Sequence, residues 1–112
     1  MFRLLANVPV VLLLFAFSSG IQAEEALWID VRSAEEYDTA HVPGAVNIPY
    51  TEIAGRIGEV TEDKQALIYV YCRSGRRSGI AMDTLEAEGF SHVTNLGGLQ
   101  DAQAKAQETA VQ

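Results

Sequence analysis

The chain has 112 residues, 48% of them hydrophobic, with 15 acidic against 8 basic side chains and a net charge of -7. Such a surface repels polyanions and excludes nucleic acid and anionic membranes as partners. A lone cysteine excludes an internal disulfide, and an unpaired thiol in an oxidising compartment is flagged as a reactive group.

In chain order, the first segment reads as an export leader. Met1-Phe2-Arg3 supplies one positive charge, Leu4 to Phe17 is almost wholly apolar, and Ile21-Gln22-Ala23 ends on a small residue. That is the layout of a cleavable secretory signal. A membrane anchor needs about 17–25 apolar residues, whereas this run is shorter and contains Asn7 and Pro9. The expectation is a removed segment 1–23 and a single mature domain 24–112, carrying about -8 once Arg3 is lost. The protein is then exported, periplasmic in a two-membrane bacterium, and without stable membrane association after cleavage.

The mature part alternates short apolar runs with helix-like segments, which predicts an α/β domain with a parallel sheet. Ala26–Val31 reads as a buried strand. Ser33 with Glu36 three residues later forms a capping box that starts a short helix. A turn at Pro43-Gly44 leads to a strand over Ala45–Ile48, and Thr51 is placed to cap a helix carrying Ile53, Ile57 and Val60. Ala66–Tyr71 is the strongest strand, rich in β-branched and aromatic residues. Ser78 to Glu88 predicts a helix ended by Gly89, His92–Leu96 a last strand, Gly97-Gly98 a loop, and Leu99–Thr109 a final helix.

The cysteine sits where this alternation has chemical value. Cys72 follows the central strand, and a helix begins a few residues later. Cys72-Arg73-Ser74-Gly75-Arg76-Arg77 therefore links a strand end to a helix N-terminus, where free N–H groups and the helix dipole favour negative charge. Gly75 allows the positive φ of a curled loop, and arginines suit oxyanions. This setting lowers a thiol pKa from about 8.5 into roughly the 3.5–7.5 range. The plainer reading is a cysteine packed as a small hydrophobe beside solvated arginines.

"LWIDVRSAEEYDTAHVPGAVNIP", "VYCRSGRRSG" and "VTNLGGL" together resemble the rhodanese family, in its small exported single-domain form, over roughly Leu27 to Leu99. The resemblance implies a rhodanese-like three-layer domain, a short parallel sheet flanked by helices. It implies a thiosulfate sulfurtransferase in which Cys72 is catalytic and carries sulfur as a persulfide to cyanide or a thiol. No metal or organic cofactor is expected. The partners would be a small anionic sulfur donor and a nucleophilic acceptor. Arg73, Ser74, Gly75, Arg76 and Arg77 become substrate-side residues, with Arg73 and Arg76 facing solvent and Arg77 bracing the loop and orienting the anion. Asp30, Arg32, Glu36 and Ser78 take supporting roles, with Arg32 expected to pair with Glu36, and His41 plugs a turn.

Two departures from the family pattern stand out. Almost nothing precedes Ala26 in the mature chain, so about four main strands are expected rather than five. Leu99-Gln100-Asp101-Ala102 also replaces a tryptophan found shortly after the glycine pair in many relatives. One competing reading is a catalytically silent rhodanese module for binding. The other is a cysteine phosphatase or arsenate reductase, whose Cys-x5-Arg loop would need an arginine at position 78, where Ser78 stands.

Overall fold

A computed structural model describes residues 25–110. The expected leader 1–23 and its cleavage point lie outside the described residues. Four strands form one sheet in the order β2-β1-β3-β4. They are β1 (Leu27–Asp30), β2 (Val46–Asn47), β3 (Ile68–Tyr71) and β4 (Val93–Gly97). All three pairings are parallel, so the carboxyl ends of the strands lie at one edge, where ligand sites of such sheets form.

Four α-helices connect and cover the sheet: α1 (Ala34–Thr39), α2 (Ile53–Arg56), α3 (Arg76–Ala87) and α4 (Leu99–Ala110). Single 3-10 turns at Tyr50–Glu52 and Ile57–Glu59 flank α2. The strand alternation divides the apolar side chains between two cores. Ile29, Ile68 and Val70 face α2 and α3, where Ile53, Ala81, Leu85 and Phe90 close over them. On the other face Tyr71, Val42 and Ala45 pack with Ala102 of α4, and Trp28, Leu96 and Leu99 complete the layer. This is the expected three-layer arrangement. Ile29, Ile68 and Val70 are wholly buried, and each contributes about 1.5–3 kcal/mol.

The local signals correspond to local structure with a few exceptions. Ser33 caps α1 through the full capping box, its Oγ accepting from Glu36 N at 3.2 Å while Glu36 Oε1 accepts from Ser33 N at 3.0 Å. Helix α3 begins at Arg76, two residues before the expected Ser78, because Gly75 adopts φ 99° as its N-cap and turns the chain earlier. Thr51 caps nothing: it lies inside the 3-10 turn that follows Pro49, and no side chain caps α2. Gly97 ends β4 rather than opening a loop. The β3–β4 register shifts at that end, with Val70 opposite Asn95 and Tyr71 opposite Gly97. Such a bulge re-aims side chains beside a site.

Candidate active site

Cys72 lies immediately after β3, at the carboxyl edge of the sheet, and is 1% exposed. Its backbone N–H donates to Gly97 O at 2.9 Å, which ties the start of the loop to the end of β4. The chain then curls so that Gly75 N–H donates to Cys72 Sγ at 3.0 Å, and Ser78 Oγ stands 3.3 Å from the same sulfur. Burial works against ionisation and is the largest single influence on the thiol. The Ser78 hydroxyl and the backbone N–H groups of Ser78, Ser74 and Gly75 together outweigh it and bring the pKa down to about 7. The cysteine is therefore buried, as the plainer reading required, but its sulfur sits among donors rather than among carbon atoms.

Around this sulfur the candidate residues divide. Arg73, Ser74 and Arg76 are exposed at the rim. Among the described residues neither Arg73 nor Arg76 makes a salt bridge, so both guanidinium groups are available to an anion. Arg77 is turned away from that task. Its Nη1 and Nη2 donate to Glu36 Oε1 and Oε2 at 2.8 and 3.0 Å. These hydrogen bonds are the chief reason why the Glu36 carboxyl is held down to about 2.

The expected pair of Arg32 with Glu36 is corrected. Arg32 Nε and Nη2 donate to Asp30 Oδ1 and Oδ2 at 2.9 and 2.7 Å, and Nη2 also donates to Ala40 O at 2.6 Å. The physical reason is distance along the strand end. Asp30 is two residues away and wholly buried, and a buried carboxylate left without a cation would cost about 3–5 kcal/mol. Arg32 thus fixes the β1–α1 connection and the end of α1, which in turn holds Glu36 for Arg77. His41 stacks on Tyr37 with ring centroids 3.7 Å apart, and its Nδ1 lies 2.7 Å from Tyr37 O. It fills a turn, as expected.

Asn95 is the residue the sequence reading missed. Its Nδ2 donates to Gly75 O at 2.9 Å, and its Oδ1 accepts from Gly97 N–H at 2.9 Å and meets Ser78 Oγ at 2.7 Å. One amide thus ties the loop, the helix start and the end of β4 together. The signal was a residue type poor in strands standing inside a strand segment.

Beside the loop lies a cleft of about 490 Å³, lined among others by Arg32, Glu36, Arg73, Gly98 and Asp101. Its floor depends on Gly98, where a Cβ would run into the Arg73 carbonyl oxygen. Among the described residues no three His, Cys, Asp or Glu side chains gather as metal ligands. No helix among them is long and apolar enough to cross a membrane.

Comparisons with known proteins place the whole domain. Residues 16–105 match the rhodanese-like domain family. The chain is 46% identical over 89 residues to the thiosulfate sulfurtransferase PspE of Escherichia coli strain K12, covering 80% of this chain and 85% of that protein. It is 36% identical over 75 residues to a sulfurtransferase of Allochromatium vinosum, covering 67% of this chain and 68% of the other. A solved structure of a rhodanese with anions from E. coli superposes with a TM-score of 0.66 at 47% identity, covering 69% of this chain and 91% of that one. With its four-stranded parallel sheet, its helices on both faces and its cysteine loop at the strand ends, the chain belongs to the rhodanese-like domain family.

Proposed function

We propose that Cys72 is the sulfur-carrying nucleophile and that the loop Arg73–Arg77 receives the anionic donor. The reaction class is rhodanese-type sulfur transfer. The Cys72 thiolate attacks the outer sulfur of a thiosulfate-class donor, a sulfur–sulfur bond forms to Cys72, and the donor's own sulfur–sulfur bond breaks. Sulfite leaves with the electron pair. The persulfide then passes its outer sulfur to cyanide or a thiolate, and the Cys72 thiolate returns. Two easier displacements replace one difficult transfer.

The observation that carries this reading is the placement of Cys72 Sγ, 3.0 Å from Gly75 N–H at the positive end of α3, with its pKa lowered to about 7. At neutral pH a large fraction of the thiol is then ionised, and a thiol with a pKa near the ambient pH is the best attacking group. Arg73 and Arg76 supply long-range attraction for the dianion from the rim, and Arg77 braces the loop through Glu36. Asp30 and Arg32 hold the neighbouring strand end. Segment 1–23 is assigned as a leader removed on export, so that the domain works outside the cytoplasm. The apolar run and small residue at Ala23 support this.

The test is purified protein incubated with thiosulfate, with sulfite release and intact mass measured. Sulfite in step with a gain of one sulfur atom on the chain is the expected result. Intact protein that releases no sulfite and gains no mass would reduce the domain to a binding module.

A further inference from the structure

Ser78 has one hydroxyl proton and faces two acceptors. Its Oγ lies 3.3 Å from Cys72 Sγ and 2.7 Å from Asn95 Oδ1. A single O–H serves one of them at a time. The Asn95 amide is held in one orientation. Its Nδ2 faces the Gly75 carbonyl, which only accepts, and its Oδ1 faces the Gly97 N–H, which only donates. Helix α3 offers a shelf for this amide, since a Cβ at Gly79 would lie 3.4 Å from Asn95 Nδ2. Oδ1 is therefore a standing acceptor, and two oxygens 2.7 Å apart require a proton between them.

We propose that Asn95 is a positioning residue that holds the Ser78 proton away from the sulfur while Cys72 is a neutral thiol and releases it when the thiol ionises. In the neutral state the Cys72 S–H donates to Ser78 Oγ, and Ser78 donates to Asn95. On ionisation the thiol proton leaves to solvent. The Ser78 O–H then rotates about its Cβ–Oγ bond and donates to the thiolate, and Ser78 Oγ and Asn95 Oδ1, no longer bridged by a proton, draw apart from their 2.7 Å contact. Asn95 Oδ1 keeps the Gly97 N–H, so no polar atom is orphaned by the exchange. Asn95 thereby limits how far Ser78 stabilises the thiolate. A less stabilised thiolate is the stronger nucleophile.

Several charged or titratable groups surround the loop from the elements packed on it. They are Arg77 with Glu36 of α1, Asp30 and Arg32 at the end of β1, Tyr50 in the 3-10 turn, and Arg73 and Arg76 in the loop itself. Asp101 at the start of α4 accepts from Gly98 N–H. Neither Ser78 nor Asn95 titrates, so an effect passing between them is separable from these charges by substitution. The inference takes Cys72 as the nucleophile, yet its test needs no sulfur transfer.

The experiment is the pH dependence of Cys72 alkylation by iodoacetamide in the purified protein. Asn95→Leu keeps the shape and removes the acceptor, so Ser78 donates to sulfur without competition. The alkylation midpoint should fall by about half a unit to one unit, a three- to tenfold change in ionisation constant. Ser78→Ala should raise the midpoint, and adding Asn95→Leu to it should bring no downward shift. A midpoint that stays or rises in a folded Asn95→Leu variant would overturn the proposal, because a merely bracing amide predicts that sign. A fall of equal size without the Ser78 hydroxyl would overturn it too. If Asn95→Leu disturbs the fold, the wild-type protein still decides. The Asn95 side-chain amide resonance should shift with the Cys72 midpoint and lose most of that amplitude in Ser78→Ala, and an unchanged amplitude overturns the exchange. Absent sulfite release with these shifts intact would remove the transfer reading and leave the proton exchange standing.

Discussion

Arg77 and Glu36 stand 41 residues apart in sequence and meet through two hydrogen bonds of 2.8 and 3.0 Å. The pair fastens the first turn of α3, and with it the last residue of the cysteine loop, to α1. It has a pH signature. Glu36 is held at about 2, below its ordinary 4.5, chiefly by Arg77. Because the folded value is the lower one, the stabilisation is complete above the unfolded pKa and disappears as pH falls through the folded one. Glu36→Gln should therefore cost about 1 kcal/mol at pH 7, a modest figure because the two side chains are 25% and 27% exposed. Urea melts should show the wild-type advantage shrinking between pH 4.5 and 2. An advantage that persists unchanged at the acid end would contradict the assignment.

Cys72→Ser should abolish sulfur transfer and leave the fold intact. The hydroxyl fits among the same donors, but it neither ionises at neutral pH nor carries a persulfide. After incubation with thiosulfate, intact mass should rise by one sulfur atom in the wild type and stay constant in the variant. Sulfite release by the variant at a near wild-type rate would move the chemistry elsewhere.

Arg76→Glu should raise the KM for thiosulfate several-fold with a smaller effect on kcat. The side chain is exposed at the rim and touches no other charge among the described residues, so it acts by long-range attraction. That attraction is screened over about 10 Å at 0.1 M salt, and the difference from wild type should shrink as salt is added. Equal KM values at low salt would reduce Arg76 to ordinary surface.

Gly98→Ala should damage both stability and rate. The new methyl group meets the Arg73 carbonyl oxygen inside the loop, and such crowding costs about 1–3 kcal/mol. Chemical melts and sulfite release should fall together. A silent substitution would mean that the loop yields freely around Arg73, contrary to the tie between Cys72 N–H and Gly97 O.

How much was legible in the sequence depended on how local the cause was. Short apolar runs rich in β-branched and aromatic residues at Leu27–Asp30 and Ile68–Tyr71 announce strands, because such side chains pack well on a buried pleated sheet. Ser33 and Glu36 announce a helix start, because both partners of the capping box lie within one turn. Cys72, Gly75 and the arginines raise the expectation of an anion-binding loop for the same reason: strand end, turn and helix start are consecutive in the chain.

The choice of partners across the site was decided only by the tertiary structure. Arg32 has Asp30 two residues away as well as Glu36 within reach, and spacing alone does not show that Asp30 is wholly buried and so takes it. The parallel order of β1 beside β3 brings the first turn of α3 against α1 and gives Glu36 to Arg77. Asp30, buried at the end of β1, claims Arg32. Asn95 reads as one more strand residue until the register shift beside Tyr71 turns it toward Ser78, 17 residues away. Backbone periodicity is set by neighbours in sequence, whereas a hydrogen bond between side chains depends on where distant strand ends come to rest.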